Sequence, residues 1–359
     1  MKRFRYIILF CVAVLLVACV SPRKGRLWSD LSPYFEVPEE WQGDMGNLRS
    51  VLTFDNGEKV QSKSDWLARR EEIKRLWHTS MGEWPEIITN QTLQRLDSVM
   101  LDDGIVRYRV RFKWTPTECT EGYLLVPPQQ RPMPAVITLF YEPETAIGLG
   151  SKPNRDFAIQ LARRGFVALS LGTTETTKTQ TYAIRYPEKG AESVEPLSML
   201  AYAAANAYEA LVREPMVQSD KIGVVGHSYG GKWAMFASCL YEKFACAAWG
   251  DAGILFAEDK GGMVNYWEPW YLGSLGTYER MKSSGHNLHE LHTLMAPRPF
   301  LVSGGYSDEP SQWRALNHSV EVNRLLGYEN RVAMTNRELH EPNEEANEVI
   351  YKFFEYFLK

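Results

Sequence analysis

Short apolar runs recur along the chain from residue 135 onward, and stretches of helical length separate them. They are AVITLFY (135–141), FVALSL (166–171), KIGVVG (221–226), FACAAWG (244–250), FLVSGG (300–305) and RVAMTN (331–336). Helices are predicted over residues 157–164, 196–213, 230–241, 313–326 and 343–357. Continuously apolar runs are typical of strands that are buried on both faces. Such strands, alternating with helices, predict an α/β fold with a doubly wound, mostly parallel sheet.

A different hydrophobic pattern precedes this region. Residues 106–114 alternate strictly, and their apolar members face one way while the arginines and the lysine face the other. The apolar members are Val106, Tyr108, Val110, Phe112 and Trp114. This alternation predicts a half-buried antiparallel strand, with residues 122–126 as its partner. The sheet is therefore expected to start with antiparallel strands.

Three further segments can be assigned from their patterns. Residues 65–82 predict a helix that opens at Ser64-Asp65. Its buried face is expected to hold Trp66, Leu67, Ile73, Leu76 and Trp77. Residues 20–60 carry several Pro, Gly and Asp without a sustained period, which indicates a tether and a wrapped N-terminal arm. The Thr-rich residues 173–181 are expected to form a solvated loop.

The first 20 residues resemble a secretory leader. Three basic side chains, Lys2, Arg3 and Arg5, precede a short apolar run that is below the length of about 20 residues needed by a transmembrane helix. The sequence LVAC at its end resembles the bacterial lipobox, in which the cysteine is lipidated and becomes the mature N-terminus. An ordinary cleaved signal peptide or a short uncleaved anchor would fit the same run.

The lipobox predicts a domain organisation and a location. Residues 1–18 would be the signal peptide, Cys19 the lipidated residue, 19–60 the tether and arm, and 61–359 the main domain. The protein would be a lipoprotein of the bacterial cell envelope, either periplasmic or on the surface of the outer membrane. The lipid on Cys19 would provide the contact with the membrane.

Composition narrows the class of protein. The 359 residues are 45% hydrophobic and 23% charged, which fits a soluble globule with a large core. The net charge is −4, from 40 basic and 44 acidic residues, which argues against a nucleic-acid-binding protein. Cys119, Cys239 and Cys246 allow at most one disulfide. His286, His289 and His292 recur every three residues, but without a partnering cysteine or an HExxH motif they are expected to be solvated or locally bonded, and neither a metal nor a cofactor is predicted.

The motif that carries chemistry is GHSYG, residues 226–230. It follows a buried strand and precedes a helix rich in small residues, which is the context of a nucleophile elbow. Ser228 would then stand at a helix N-terminus, where the Tyr229 N–H can donate to a developing oxyanion. A second donor is expected from the loop after AVITLFY, near Tyr141 or Glu142.

A nucleophilic serine needs a base, and the base needs an orienting acid. His340 follows the strand RVAMTN and is predicted to be the base. The acid is Asp308 or Asp251, each of which follows an apolar strand. Asp308 is preferred because in this arrangement the acid usually follows the later strand. In that case its carboxylate should lie within about 3.2 Å of His340 Nδ1.

With these motifs the chain resembles the α/β-hydrolase superfamily. More narrowly, it resembles secreted bacterial carbohydrate esterases related to glucuronoyl esterases and acetyl xylan esterases. GHSYGGK (226–232) matches the glucuronoyl esterase pattern G-C-S-R-x-G-K in its glycines, serine and lysine. The resemblance implies that Lys232 contacts sugar hydroxyls and that Asp251, in WGDAG, stands where some members carry their acid. The family arginine is replaced by Tyr229, and the family cysteine by His227.

The segment NYWEPWY (265–271) lies between the two candidate acids. Its side chains, above all Trp267, Glu268 and Trp270, would suit a sugar ring, although a lid packed on its own core would have the same composition. Together with the resemblance, the motifs imply a serine carbohydrate esterase that cleaves an O-acetyl, uronic-acid methyl or glucuronoyl ester of a polysaccharide or oligosaccharide. The alternatives are a prolyl-oligopeptidase-like peptidase, whose propeller would not fit before the sheet, and a non-catalytic glycan-binding lipoprotein.

Overall fold

The computed structural model describes residues 22–180, 182–257 and 263–359. The predicted signal peptide and the predicted lipidation site, Cys19, lie outside these ranges. None of the helices in the described ranges is both long enough and apolar enough to cross a membrane.

A single sheet of nine strands organises the described residues. The strands are β1 (Gln94–Met100), β2 (Val106–Lys113), β3 (Cys119–Val126), β4 (Met133–Phe140), β5 (Val167–Gly172), β6 (Val217–His227), β7 (Cys246–Gly250), β8 (Phe300–Ser303) and β9 (Val332–Thr335). Their spatial order is β1-β2-β3-β5-β4-β6-β7-β8-β9. Pairing is antiparallel from β1 to the β3–β5 pair and parallel from β5 to β9. The predicted mostly parallel sheet with leading antiparallel strands is confirmed.

Helices cover both faces of the sheet. They are α1 (Pro22–Leu31), α2 (Lys63–Met81), α3 (Pro143–Ala146), α4 (Phe157–Arg163), α5 (Thr174–Lys178), α6 (Pro196–Leu211), α7 (Tyr229–Leu240), α8 (Thr277–Ser283), α9 (Leu288–His292), α10 (Trp313–Leu326) and α11 (Glu344–Leu358). All residues of α6 and α7 are buried, because these two helices pack on each other and α7 also packs on the central strands. The C-terminal ends of the parallel strands therefore sit on a rigid, densely packed support.

The apolar runs were good predictors, because strands β4 to β9 each fall within or next to one of them. The strands β4, β5, β7, β8 and β9 are buried at every position, which explains why their sequences do not alternate. The alternating segment forms β2, with Val110 and Phe112 buried, and it pairs with β3 as predicted.

The structure differs from the local predictions at five points. Leu67 was placed on the buried face of α2 but is 62% exposed, and the helix is capped by Ser62 rather than opened by Ser64-Asp65. The Thr-rich stretch, expected as a loop, contains the short helix α5. Strand β1 was missed because it is an edge strand with all seven residues exposed, so no burial pattern marks it.

The fifth difference concerns the N-terminal arm. Residues from Pro22 onward, expected to be an irregular tether, begin with α1, which packs against α11. Trp28 lies 5.3 Å from the ring of Tyr356, and Arg23 pairs with Glu355 at 2.9 Å. The stabilisation comes from this tertiary contact, which a local period does not reveal.

Candidate active site

Ser228 stands on the sharp turn between β6 and α7. Its φ of +57° and ψ of −117° are strained for a residue with a side chain. The turn requires glycine on both sides: a Cβ at Gly226 would lie 2.0 Å from the Gly230 carbonyl oxygen, and a Cβ at Gly230 would lie 1.9 Å from the Leu139 carbonyl oxygen. The predicted nucleophile elbow is therefore present, and it presents the serine hydroxyl at the C-terminal edge of the sheet.

His340 and Asp251 complete a hydrogen-bonded relay with this serine. His340 Nε2 lies 2.8 Å from Ser228 Oγ, and His340 Nδ1 lies 2.5 Å from Asp251 Oδ2. The carboxylate selects the tautomer in which Nδ1–H donates and Nε2 can accept the serine proton. Asp251 is fully buried, and its other oxygen accepts from the N–H groups of Ser307 and Asp308 at 2.9 Å each. The carboxylate is thus held in one orientation.

The preference for Asp308 as the partner of His340 was wrong. Its carboxylate turns away and accepts from the N–H groups of Gly253, at 3.0 Å, and Ile254, at 2.6 Å. Burial and the charge of Asp251 raise the pKa of Asp308 to about 7, against the effect of those two hydrogen bonds. The carboxylate of Asp308 therefore braces the loop after β7, while its backbone N–H fixes Asp251.

Hydrogen bonds from Arg337, a residue that no sequence motif marks, fix the loop that carries His340. Its guanidinium donates to the carbonyl oxygens of Ser303 (2.9 Å), Gly304 (2.8 Å), His340 (2.8 Å) and Glu341 (2.8 Å). One side chain thereby joins the end of β8 to the histidine loop. Arginines that brace backbone carbonyls have no sequence signature, which is why this role was not predicted.

Two tyrosines flank the serine. Tyr229 is the first residue of α7, where the unpaired N–H groups and the positive helix end favour a developing negative charge. The Tyr141 hydroxyl hydrogen-bonds the Ser228 side chain, and the Tyr141 and Tyr229 rings stack at 4.7 Å. Burial, with a smaller effect of Tyr182, raises the pKa of Tyr141 to about 12, which keeps its hydroxyl protonated and able to donate. The structure thus brings both predicted oxyanion residues to Ser228.

His227, which precedes the nucleophile, is also part of this cluster. It is buried, its ring lies 4.9 Å from that of His340, and neither of its nitrogens has a hydrogen-bond partner among the described residues. Burial lowers the pKa of His227 well below its usual value. A neutral imidazole therefore lies beside His340 and does not add a positive charge there.

The serine opens into a cavity of about 510 Å³. Cationic, aromatic and amide side chains dominate its described wall. The wall residues include Tyr141, Lys152, Arg155, Tyr182, Lys232, Asn265, Trp270, Tyr271, His340 and Glu341. A cavity of this size and polarity can hold a sugar-sized molecule against Ser228.

Lys232 forms the floor of this cavity. It is 2% exposed, its Nζ donates to the Met263 carbonyl oxygen at 2.9 Å, and the ammonium lies 5.1 Å from the ring of Tyr266 and 5.4 Å from that of Tyr271. Burial lowers the pKa of Lys232 to about 8, and the nearby carboxylates oppose that shift. The predicted substrate-binding lysine is thus at the site, with donors left for a ligand.

In the aromatic insert, residues 265–271, one tryptophan lines the cavity and the other packs within the protein. Trp270 lines the cavity. Trp267 and Glu268 are not part of the cavity wall: the Trp267 ring packs edge-on against Tyr278 at 5.8 Å, and Glu268 is half-buried in the turn of the insert. The prediction of substrate contact therefore finds geometric support for Trp270, whereas Trp267 and Glu268 belong to the packing of the insert.

The histidine repeat does not behave as expected. His289 and His292 are fully buried rather than solvated, and His289 Nε2 contacts the Arg49 carbonyl oxygen at 2.7 Å. His286 does bond locally, to Glu290 at 2.7 Å. Within the described ranges, no group of three or more His, Cys, Asp or Glu is arranged to hold a metal ion.

The three described cysteines are free thiols. Cys239 and Cys246 are buried, as their positions in a helix and a strand suggested, and Cys119 is exposed.

Comparison with known proteins supports the architecture. The profile of the Dienelactone hydrolase family matches residues 120–251, which contain β3 to β7, the nucleophile elbow and Asp251. A comparison with curated proteins found no match.

Solved structures with a similar fold include several glucuronoyl esterases. One from Solibacter usitatus is 16% identical, with a TM-score of 0.72 over 88% of this chain and 98% of that chain. A CE15 glucuronoyl esterase from Caldicellulosiruptor kristjansonii is 20% identical, with a TM-score of 0.65 over 90% and 93%. The catalytic domain of a glucuronoyl esterase from Hypocrea jecorina is 17% identical, with a TM-score of 0.62 over 87% and 91%. At these identities the similarity establishes a shared fold.

Proposed function

We propose that this α/β-hydrolase is a serine esterase that cleaves carboxylic ester bonds of carbohydrates. The observation that carries the proposal is the relay in which His340 joins Ser228 Oγ, at 2.8 Å, to the buried carboxylate of Asp251, at 2.5 Å. Such a relay makes a weak nucleophile reactive, and a polar cavity of sugar size adjoins it. The glucuronoyl esterases with the same fold support the choice of an ester substrate.

The chemistry follows from the geometry. His340 Nε2 takes the proton of Ser228 as Oγ attacks the ester carbonyl, and Asp251 stabilises the imidazolium that forms. The Tyr229 N–H and the Tyr141 hydroxyl are placed to donate to the oxyanion. His340 then returns the proton to the departing alkoxide, which leaves an acyl group on Ser228. A water molecule activated by His340 hydrolyses that acyl-enzyme.

A covalent probe tests the catalytic part of this proposal. A fluorophosphonate should label the wild-type protein and should not label Ser228→Ala, because only an activated serine is phosphonylated. Absence of labelling in the folded wild-type protein would contradict the esterase and favour a non-catalytic glycan-binding protein. Cleavage of a peptide amide at a rate similar to that of esters would favour a peptidase instead.

The carbohydrate part rests on the cavity wall, where Trp270 and Lys232 offer a flat apolar surface and polar donors. We expect activity on O-acetyl, uronic-acid methyl or glucuronoyl esters, and a panel of acetylated xylan, methylated pectin and glucuronate esters distinguishes among them. Hydrolysis of each ester in the panel can be followed by the release of acid.

A pair of tryptophan variants tests substrate contact. Trp270→Ala should lower kcat/KM for an oligosaccharide ester by about tenfold or more and for a small aryl acetate much less, because remote contacts act only on the larger substrate. Trp267→Ala serves as the matched control. It should lower the melting temperature and leave the ratio of the two kcat/KM values unchanged. Equal losses on both substrates for Trp270→Ala would contradict a role in carbohydrate binding.

We also propose that the protein is anchored in the bacterial cell envelope by a lipid on Cys19. The basic start, the short apolar run and the LVAC sequence support this location. Cys19→Ala should move the protein from the membrane fraction to the soluble fraction and abolish incorporation of an alkyne-labelled fatty acid. Retention of both signals in Cys19→Ala would refute lipidation at this residue.

A further inference from the structure

Arg155 contributes a buried positive charge to the cavity that the catalytic relay does not use. It lies just before α4, is 8% exposed and lines the same cavity as Ser228. Nη1 donates to the Pro153 carbonyl oxygen at 3.0 Å, whereas Nε is buried and has no hydrogen-bond partner in the described part of the chain. A buried guanidinium with unused donors is costly unless a ligand satisfies it.

The charges around Arg155 are unbalanced. Arg155 forms no ion pair with a described carboxylate, and neither do Lys152 and Lys232, which share the cavity wall. Glu341 is the one acidic side chain among the described residues of this wall. Burial lowers the pKa of Arg155, and Glu341 and Tyr141 oppose that shift electrostatically. The wall itself carries three cations and one carboxylate, while Asp251 and Asp308 act on Lys232 from outside the wall. Such an excess of cations at the wall attracts an anion.

We propose that Arg155 is the anion-binding residue of this cavity and that it takes the carboxylate of a sugar acid. A guanidinium with Nη1 occupied retains the Nε–Nη2 edge, which matches a carboxylate in a bidentate arrangement. The aromatic wall that includes Tyr141 and Trp270 suits the sugar ring that carries the acid. The choice of a sugar as the carrier rests on the proposed function, whereas the anion site rests on the buried charge itself.

Binding of small molecules to Ser228→Ala tests this assignment without catalysis. D-glucuronate and its neutral amide, D-glucuronamide, have the same ring and differ in charge at one position. At low ionic strength calorimetry should show glucuronate binding about tenfold or more tightly than glucuronamide. Arg155→Gln, added to Ser228→Ala, should remove that difference, and Arg155→Lys should restore only part of it, because an ammonium cannot bind a carboxylate bidentately.

Arg163→Gln is the matched control. Arg163 lies on α4, its side chain is 53% exposed, and it pairs with Asp103 at 3.0 Å on the protein surface, so its loss should leave the glucuronate preference intact. Thermal melting verifies that each variant is folded. If Arg155→Gln does not fold, the preference of Ser228→Ala for glucuronate and its reduction in Arg155→Lys still decide the outcome.

Three results would overturn the proposal. Equal affinity of Ser228→Ala for glucuronate and glucuronamide would show that the cavity does not select a carboxylate. A preference that survives in Arg155→Gln would assign it to another residue. Tighter binding of glucose 6-phosphate than of glucuronate would identify a phosphate rather than a carboxylate site. The proposed function is measured separately by fluorophosphonate labelling of the wild-type protein, so either idea can fail alone.

Discussion

Of the two oxyanion donors in the proposed mechanism, the Tyr141 hydroxyl is the one that a single substitution can remove. Tyr141→Phe should lower kcat for an aryl acetate by about 10- to 1000-fold with little change in KM, because the lost hydrogen bond acts mainly on the transition state. Tyr202→Phe is a fitting control, since its hydroxyl donates to the Glu86 carbonyl oxygen away from the cavity. An unchanged kcat in Tyr141→Phe would remove this side chain from the oxyanion site.

The two buried aspartates should differ sharply in their effect on turnover. Asp251→Asn removes the charge that orients and stabilises His340 and should lower kcat by about 1000- to 10 000-fold. Asp308→Asn leaves the hydrogen bond between Asp251 and His340 in place and should cost less than about tenfold, with its main effect on thermal stability. Steady-state kinetics and melting curves of both variants decide the matter. A larger kinetic loss in Asp308→Asn would reverse the assignment.

At the residue scale the sequence identified the serine and the histidine that the structure brings together, but its preference between the two acids was wrong. Asp251 and Asp308 each follow a buried strand, so both side chains lie over the same edge of the sheet. Their roles depend on which backbone N–H groups reach each carboxylate, and those groups come from residues more than 50 positions away, as in the contact between Ser307 and Asp251. Arg155 and Arg337 were missed because a single arginine in a loop carries no pattern.

Among the elements, the strand–turn–helix around Ser228 has a strict steric requirement. Gly230→Ala would place a Cβ within 1.9 Å of the backbone of β4, so the turn cannot form without displacing a central strand. We expect little soluble folded protein from this variant. Gly25→Ala is the opposite case: a Cβ there meets no atom within 4 Å, and alanine favours the helix α1 by roughly 0.5–1 kcal/mol. A Gly230→Ala variant with the wild-type melting temperature would contradict the packing of the elbow.

The elements differed in how well they could be predicted. Strands β4, β5, β7, β8 and β9 and the second half of β6 are buried, and burial imposes an apolar sequence that can be read directly. Edge strand β1 has only β2 as a neighbour and no buried residue, so its sequence is free to vary. Helix α1 forms because it packs on α11, a contact between the two ends of the described chain that no local pattern contains.

For the molecule as a whole, buried histidines predict sensitivity to acid. Burial lowers the pKa of His289 to about 4, and burial also lowers the pKa of His292 well below its usual value. The unfolded chain binds these protons near pH 6.5 and the folded protein does not, so their contribution to stability is present above about pH 6.5 and is lost as the pH falls toward about 4. His292→Leu should flatten this loss, because both nitrogens of His292 lack partners among the described residues.

Urea unfolding of the wild type and of His292→Leu at about pH 7.5 and about pH 5 measures the effect, since the other histidines contribute equally to both proteins. The wild type should lose more free energy of unfolding than the variant on acidification. An equal loss in the two proteins would place the acid-sensitive groups elsewhere in the molecule.

The docking of α1 on α11 also limits how far Cys19 can lie from the folded domain. Arg23 pairs with Glu355 at 2.9 Å and Lys352 with Asp30 at 2.8 Å, so α1 is docked on α11 from its first turn, which starts at Pro22. Three peptide units separate Pro22 from Cys19, which at about 3.6 Å each span no more than about 11 Å in any conformation. If Cys19 carries a lipid, the proposed esterase is therefore held next to the bilayer, and the proposed glycan substrates have to reach it at the membrane surface.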